Sequence, residues 1–175
     1  MLTISREVKI KVGRHAWNVY PLEAFGFLLG RSAENTVYAA LPSSKTRRWH
    51  EFGDRWTGIE ENIEKARAVA RLFDMEVAGF YASTNAFDPI DRDDFPIPPL
   101  IANSSMEVFM LYQAICCPSC SWASFKCGNR WLKDGEDYVV PRGKRIDDSI
   151  NQKRILTEWR KVFGAADYSN LSADR

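Results

Sequence analysis

What this chain has little of narrows its uses before any motif is read. Its longest apolar runs, such as Ala24 to Leu29 broken by Gly26, fall far short of the ~20 residues a membrane helix needs. Basic and acidic residues nearly cancel, 24 against 23 for a net charge of +1, so no global field draws in a phosphate backbone or an anionic membrane. Neither nucleic acid nor a membrane is expected as a partner. The opening MLTISREVKI carries charge where a signal peptide needs an apolar core, which predicts a cytoplasmic protein. In that compartment the four cysteines are expected as thiols or metal ligands. Histidine is scarce: His15 and His50 are the only two, each read as a surface or hydrogen-bonded side chain. Repeats and low-complexity segments are absent. What is there is ordinary for a globular protein, with 45% hydrophobic and 27% charged residues, and 175 residues suit one domain with a small appendage.

Periodicity orders the chain. Ser5 can cap a helix whose apolar positions Val8, Val12, Ala16 and Val19 recur at three- and four-residue steps. A strand through Val8 to Val12 alternates equally well; the helix is the preferred reading. Pro21 interrupts it, and the run to Gly30 reads as an apolar strand, with Thr36 to Leu41 as its antiparallel partner and Pro42 to Trp56 as a loop. Thr57-Gly58-Ile59-Glu60 has the form in which side chain and backbone cap each other at a helix start. Ile59, Ile63, Ala66, Ala70 and Phe73 then make one stripe, with Glu61 and Lys65 paired on the wet face.

A strand at Val77 to Tyr81 follows, and the prolines at 96, 98 and 99 rule out a long helix between Phe95 and Ser105. Glu107 to Ile115 suits a central strand, Ser121 to Leu132 its hairpin partner, and Cys116-Cys117-Pro118-Ser119-Cys120 the turn. Asp147 can cap a last amphipathic helix carrying Ile150, Ile155, Leu156, Trp159, Val162 and Phe163.

The stretch most informative about function is Met75 to Asp94. Its strand ends in Ala82, Ser83 and Thr84, an acid-rich loop holding Asp88, Asp91, Asp93 and Asp94 follows, and strand ends of this kind commonly build clefts. The acids could gather oxygen ligands for a hard cation, though without the spacing and central glycine of a calcium loop. Solvated turn residues are the plainer reading.

The order helix, Pro21-x-Glu23-x-x-Gly26-x-Leu28-Leu29-Gly30, two strands, capped helix, then Gly79-Phe80-Tyr81 followed by Ser83 resembles the MPN domain over roughly residues 2 to 135. Catalytic members of that family are the JAMM, or JAB-domain, zinc metalloproteases. The resemblance implies an α+β fold, a mixed, curved sheet flanked by helices, over residues 1–135, with 136–175 a C-terminal extension carrying the last helix. In catalytic members a His-Ser/Thr-His motif and a following Ser-x-x-Asp supply two imidazoles and an aspartate to zinc, and a glutamate takes the proton of the bound water. Here the histidine positions hold Ala82 and Thr84, and the aspartate is Asp93 or Asp94, which leaves Ile90 or Asp91 at the serine position. Glu23 and Ser83 stand as vestiges of the motif.

The resemblance therefore implies a metal-free, inactive domain with no cofactor, working as a scaffold through a protein partner or a homodimer. Arg47, Arg48, Trp49, Phe52 and Trp56, an aromatic and basic cluster of the kind favoured at binding hot spots, are the expected contact surface. Two alternatives stand beside it. One is a metal-dependent isopeptidase acting on ubiquitin-like or sulphur-carrier-like conjugates, with ligands drawn from Glu23, Asp91, Asp94 and His50. The other is a small zinc module using Cys116, Cys117, Cys120 and Cys127, of which only Cys117-x-x-Cys120 has chelating spacing.

Overall fold

The computed structural model describes residues 1–20, 23–47, 57–84, 106–114, 117–142 and 150–163, with the backbone alone for 44–47 and 57–61. Ser5 closes the first strand, β1 (Leu2–Ile4), and opens the first helix, α1 (Arg6–Val19). Its hydroxyl oxygen accepts the Glu7 N–H at 3.3 Å, satisfying one donor that a helix start leaves open. Val8, Val12, His15 and Ala16 form the buried face of α1, so the helical spacing prevails over the strand alternative.

The expected antiparallel pair is β2 (Glu23–Arg31) with β3 (Thr36–Arg47). The second helix, α2 (Thr57–Leu72), leads into β4 (Glu76–Thr84), and β5 (Val108–Gln113) forms a hairpin with β6 (Trp122–Cys127). Two short strands follow, β7 (Arg130–Trp131) and β8 (Tyr138–Val139), then the helix α3 (Gln152–Phe163). The described residues thus form a mixed α+β structure of three α-helices on one eight-stranded sheet, ordered β7-β6-β5-β4-β2-β3-β1-β8. Strands β4 and β5 run parallel, as does β1 with both β3 and β8.

The sheet curls around α1. Phe125 of β6 and Tyr138 of β8, far apart in strand order, bring their rings to 4.7 Å between centroids. Side-chain alternation then sorts two cores. Ala24, Leu28, Ala78 and Tyr81 meet α1, whereas Phe25, Phe27, Leu29, Phe80 and Ala82 meet α2 and α3. Gly26 is required between them, because a Cβ there would collide with the Tyr81 ring and the Leu41 carbonyl.

Several expectations are corrected. Strand β3 does not stop at Leu41 but runs on to Arg47, because β2 continues to pair with it through Pro42. Proline is tolerated there since β1 flanks β3 only at Thr36 and Val37, leaving an open edge where no ladder donor is needed. The edge is covered by α3: the Trp159 indole N–H donates to the Pro42 carbonyl at 2.8 Å, and the Gln152 amide to Tyr38 at 2.7 Å.

Strand β4 runs past Tyr81 to Thr84, so residues 82–84 are its buried last residues. The hairpin partner Ser121 to Leu132 splits into β6 and β7 at a turn where Gly128 adopts φ +58°, a left-handed conformation that suits glycine. The last helix is capped by Asn151, whose Oδ1 accepts the Arg154 N–H at 3.0 Å, while Asp147 lies outside the described residues. Within the segment expected as an extension, β8 joins the sheet and Ile155 and Trp159 join the core.

Candidate functional site

The register of the central strands decides what surrounds the motif residues. Phe25 pairs with Ala82, so the start of β2, which carries Glu23, lies at the same end of the sheet as the end of β4, which carries Ser83. Both are buried, at 3% and 2% exposure, and the Ser83 hydroxyl oxygen accepts the Ala24 N–H at 2.7 Å. That bond ties the two strands together where their ladder ends. On its other side Glu23 is in register with Arg47.

Ala82 and Thr84, the two positions that the resemblance pairs with histidines, are both buried in the fold. Ala82 packs its methyl group into the core beneath α2 and α3, and Thr84 is buried at the last position of β4, in register with Gln113. Gln113 is itself buried, and its Oε1 has no hydrogen-bond partner among the described residues. Among the described residues no three histidine, cysteine, aspartate or glutamate side chains gather as a metal site. His50, Arg48, Trp49, Phe52, Trp56, Asp88, Asp91, Asp93, Asp94 and Cys116 lie outside the described residues, and Arg47 is described only as the last backbone residue of β3.

Of the described cysteines, the fold brings two together and sends one away. Cys117 precedes, and Cys120 ends, a 3₁₀ turn, Pro118–Cys120, that joins β5 to β6. Cys127 stands at the far end of β6, ~17 Å along the strand at ~3.4 Å per residue. Its thiol donates to the Met106 carbonyl at 3.0 Å, and burial, with Glu107 nearby, pushes its pKa up. A site combining Cys127 with Cys117 and Cys120 cannot close across that distance.

One buried polar pair went unread in the sequence. His15 on α1 places Nδ1 2.7 Å from the Tyr81 hydroxyl on β4, with the rings edge to face. Burial drives the His15 pKa down to about 3, so the ring is neutral and the bond joins two uncharged groups. The signal was present, since His15 falls on the same three- and four-residue stripe as Val8, Val12 and Ala16.

No family model and no curated protein matches the chain. Among solved structures it is similar to the solution structure of protein DSY2949 from Desulfitobacterium hafniense, at TM-score 0.55 and 15% identity, covering 82% of this chain and 94% of that one. A protein from Salinibacter ruber also aligns, at TM-score 0.44 and 20% identity, over 83% of this chain and 94% of that one. The likeness to the Desulfitobacterium protein is one of fold.

Proposed function

We propose that this chain is an MPN/JAB-like domain that has lost its zinc-binding residues and works through protein contacts. The observation that supports this most is that the buried Glu23 opens β2 at the sheet end where β4 finishes in Ala82, Ser83 and Thr84. The catalytic glutamate position is kept and buried, while its neighbours are a methyl group packed in the core and two hydroxyls. Neither an alanine nor a neutral threonine hydroxyl replaces imidazole as a zinc ligand. Ser83, moreover, is engaged as an acceptor for the Ala24 amide. A carboxylate without an activated water has no proton to take in hydrolysis.

The contact surface in this reading is the Arg47, Arg48, Trp49, Phe52 and Trp56 segment, whose composition suits a hot spot. The partner is a protein or a second copy of the chain.

The test measures metal per chain in protein purified without added metal, then peptidase activity on ubiquitin-like conjugates with zinc supplied. The expected outcome is less than stoichiometric metal and no hydrolysis, unchanged in Glu23→Gln. Hydrolysis abolished by E23Q would establish the isopeptidase reading. Light scattering of the W49A/W56A double variant tests the contact surface, with a loss of self-association or partner binding expected at unchanged thermal stability.

A further inference from the structure

Away from Glu23 and Ser83, the turn between β5 and β6 holds two thiols in a fixed approach: the Cys117 and Cys120 sulfurs are 3.3 Å apart. The Cys120 N–H donates to the Cys117 carbonyl at 3.1 Å, and the Ser121 hydroxyl donates to the same carbonyl at 2.9 Å. Pro118 fixes φ at the first residue of the turn. Ser119 places its hydroxyl 3.0 Å from the Cys117 sulfur, where it can donate to a thiolate. Cys120 is exposed and Cys117 half-buried, so the pair is open to a reagent from solution.

This turn also forms one wall of a cleft of about 820 Å³, through Pro118 and Ser121. The same cleft is lined by Arg6 and Lys9 from α1 and Arg142 beyond β8, three cations against the single carboxylate of Asp134 among the described lining residues. A cationic, partly apolar cleft concentrates anions beside the thiols, and an electropositive setting favours thiolate chemistry.

We propose that Cys117 and Cys120 are a dithiol that exchanges with anionic low-molecular-weight disulfides drawn into this cleft. A thiolate of the pair attacks one sulfur of R–S–S–R, forming a protein–S–S–R bond and expelling R–S⁻, which takes up the proton that the protein thiol released. The second cysteine, also deprotonated, attacks the protein sulfur of that mixed disulfide, closing the Cys117–Cys120 bond and expelling the second R–S⁻. Two electrons pass from the dithiol to the reagent, and two molecules of R–SH leave.

The test uses the full reduced chain and two disulfides of opposite charge, oxidised glutathione and cystamine, with each rate divided by the rate of the same disulfide with dithiothreitol. The expected result is one intramolecular disulfide, mapped to Cys117 and Cys120, formed about tenfold or more faster with glutathione at low salt. C117S and C120S each stop at the glutathione adduct, and R6Q/R142Q abolishes the charge preference while leaving the disulfide able to form. Three outcomes overturn the proposal: oxidation joining Cys116 instead, equal normalised rates for both reagents, or tightly held zinc that must be chelated before either thiol reacts.

Discussion

The two faces of the sheet are built on different terms. Beneath α2 and α3 the core is a matter of volume: Trp159 is fully buried, stacks on Phe163 at 4.6 Å and meets Phe27 edge-on at 6.0 Å. Polar atoms on that side serve to cover the edge of β3 that β1 does not reach. Beneath α1 the sheet instead seals in a titratable pair, His15 and Tyr81, and its curl leaves a cleft open to solvent. The first face is therefore sensitive to lost volume. The second requires a histidine to stay neutral, which makes its stability a function of proton concentration.

Removing Trp159 is the largest expected blow to the dry face. Trp159→Ala deletes a whole buried indole and its hydrogen bond to the Pro42 carbonyl, for a loss of ~3–5 kcal/mol in urea unfolding. Trp159→Phe, which can still stack on Phe163, is expected to lose less. If W159A costs under ~1 kcal/mol, α3 is not part of the cooperative core and the contrast between faces fails.

The α1 face is broken with acid. Burial holds the folded His15 pKa at about 3, below the ~6.5 of an unfolded chain. Below pH ~6.5 the unfolded chain takes up a proton that the folded one refuses, so stability is fully present above that pH and falls as pH drops. The slope is up to ~1.4 kcal/mol per pH unit, or ~2 kcal/mol lost by pH 5. His15→Gln keeps a side chain able to bond the Tyr81 hydroxyl but cannot titrate, so its unfolding free energy should vary less over the same range. W159A should keep the full acid slope. An unchanged slope in H15Q would show that another group, not the sealed imidazole, sets the acid response.

How much of this was legible in the sequence differs between the same two faces. The helices were readable because Val8, Val12 and Ala16, and later Ile63, Ala66 and Ala70, keep the helical period and are buried as it demands. The pairing of β2 with β3 followed from two apolar runs joined by a short turn. Pro42 misled, since proline reads as a breaker unless one knows that the strand edge beside it is open, which only the length of β1 decides. The curl of the sheet, the contact of β6 with β8 and the cleft between them join residues far apart in sequence, and no local pattern encodes them. At the candidate site, Glu23 and Ser83 were named from a motif, but that Ser83 binds the Ala24 amide is a fact of register. The Cys117-x-x-Cys120 spacing was legible, whereas the direction in which β6 carries Cys127 was not.

Ser83 offers the smallest and sharpest test of the proposed reading, because its hydroxyl holds two strands together. Ser83→Ala removes the acceptor from the Ala24 N–H, a buried amide, and should cost about 1 kcal/mol in equilibrium unfolding. That loss belongs to strand pairing, so it should be the same with zinc or with a chelator in the buffer. A ligand that binds only the folded state adds stability that grows with its concentration. If zinc stabilises the parent chain but not S83A or E23Q, the end of β4 is a metal site after all, and Ala82 and Thr84 have been bypassed by ligands from another part of the chain.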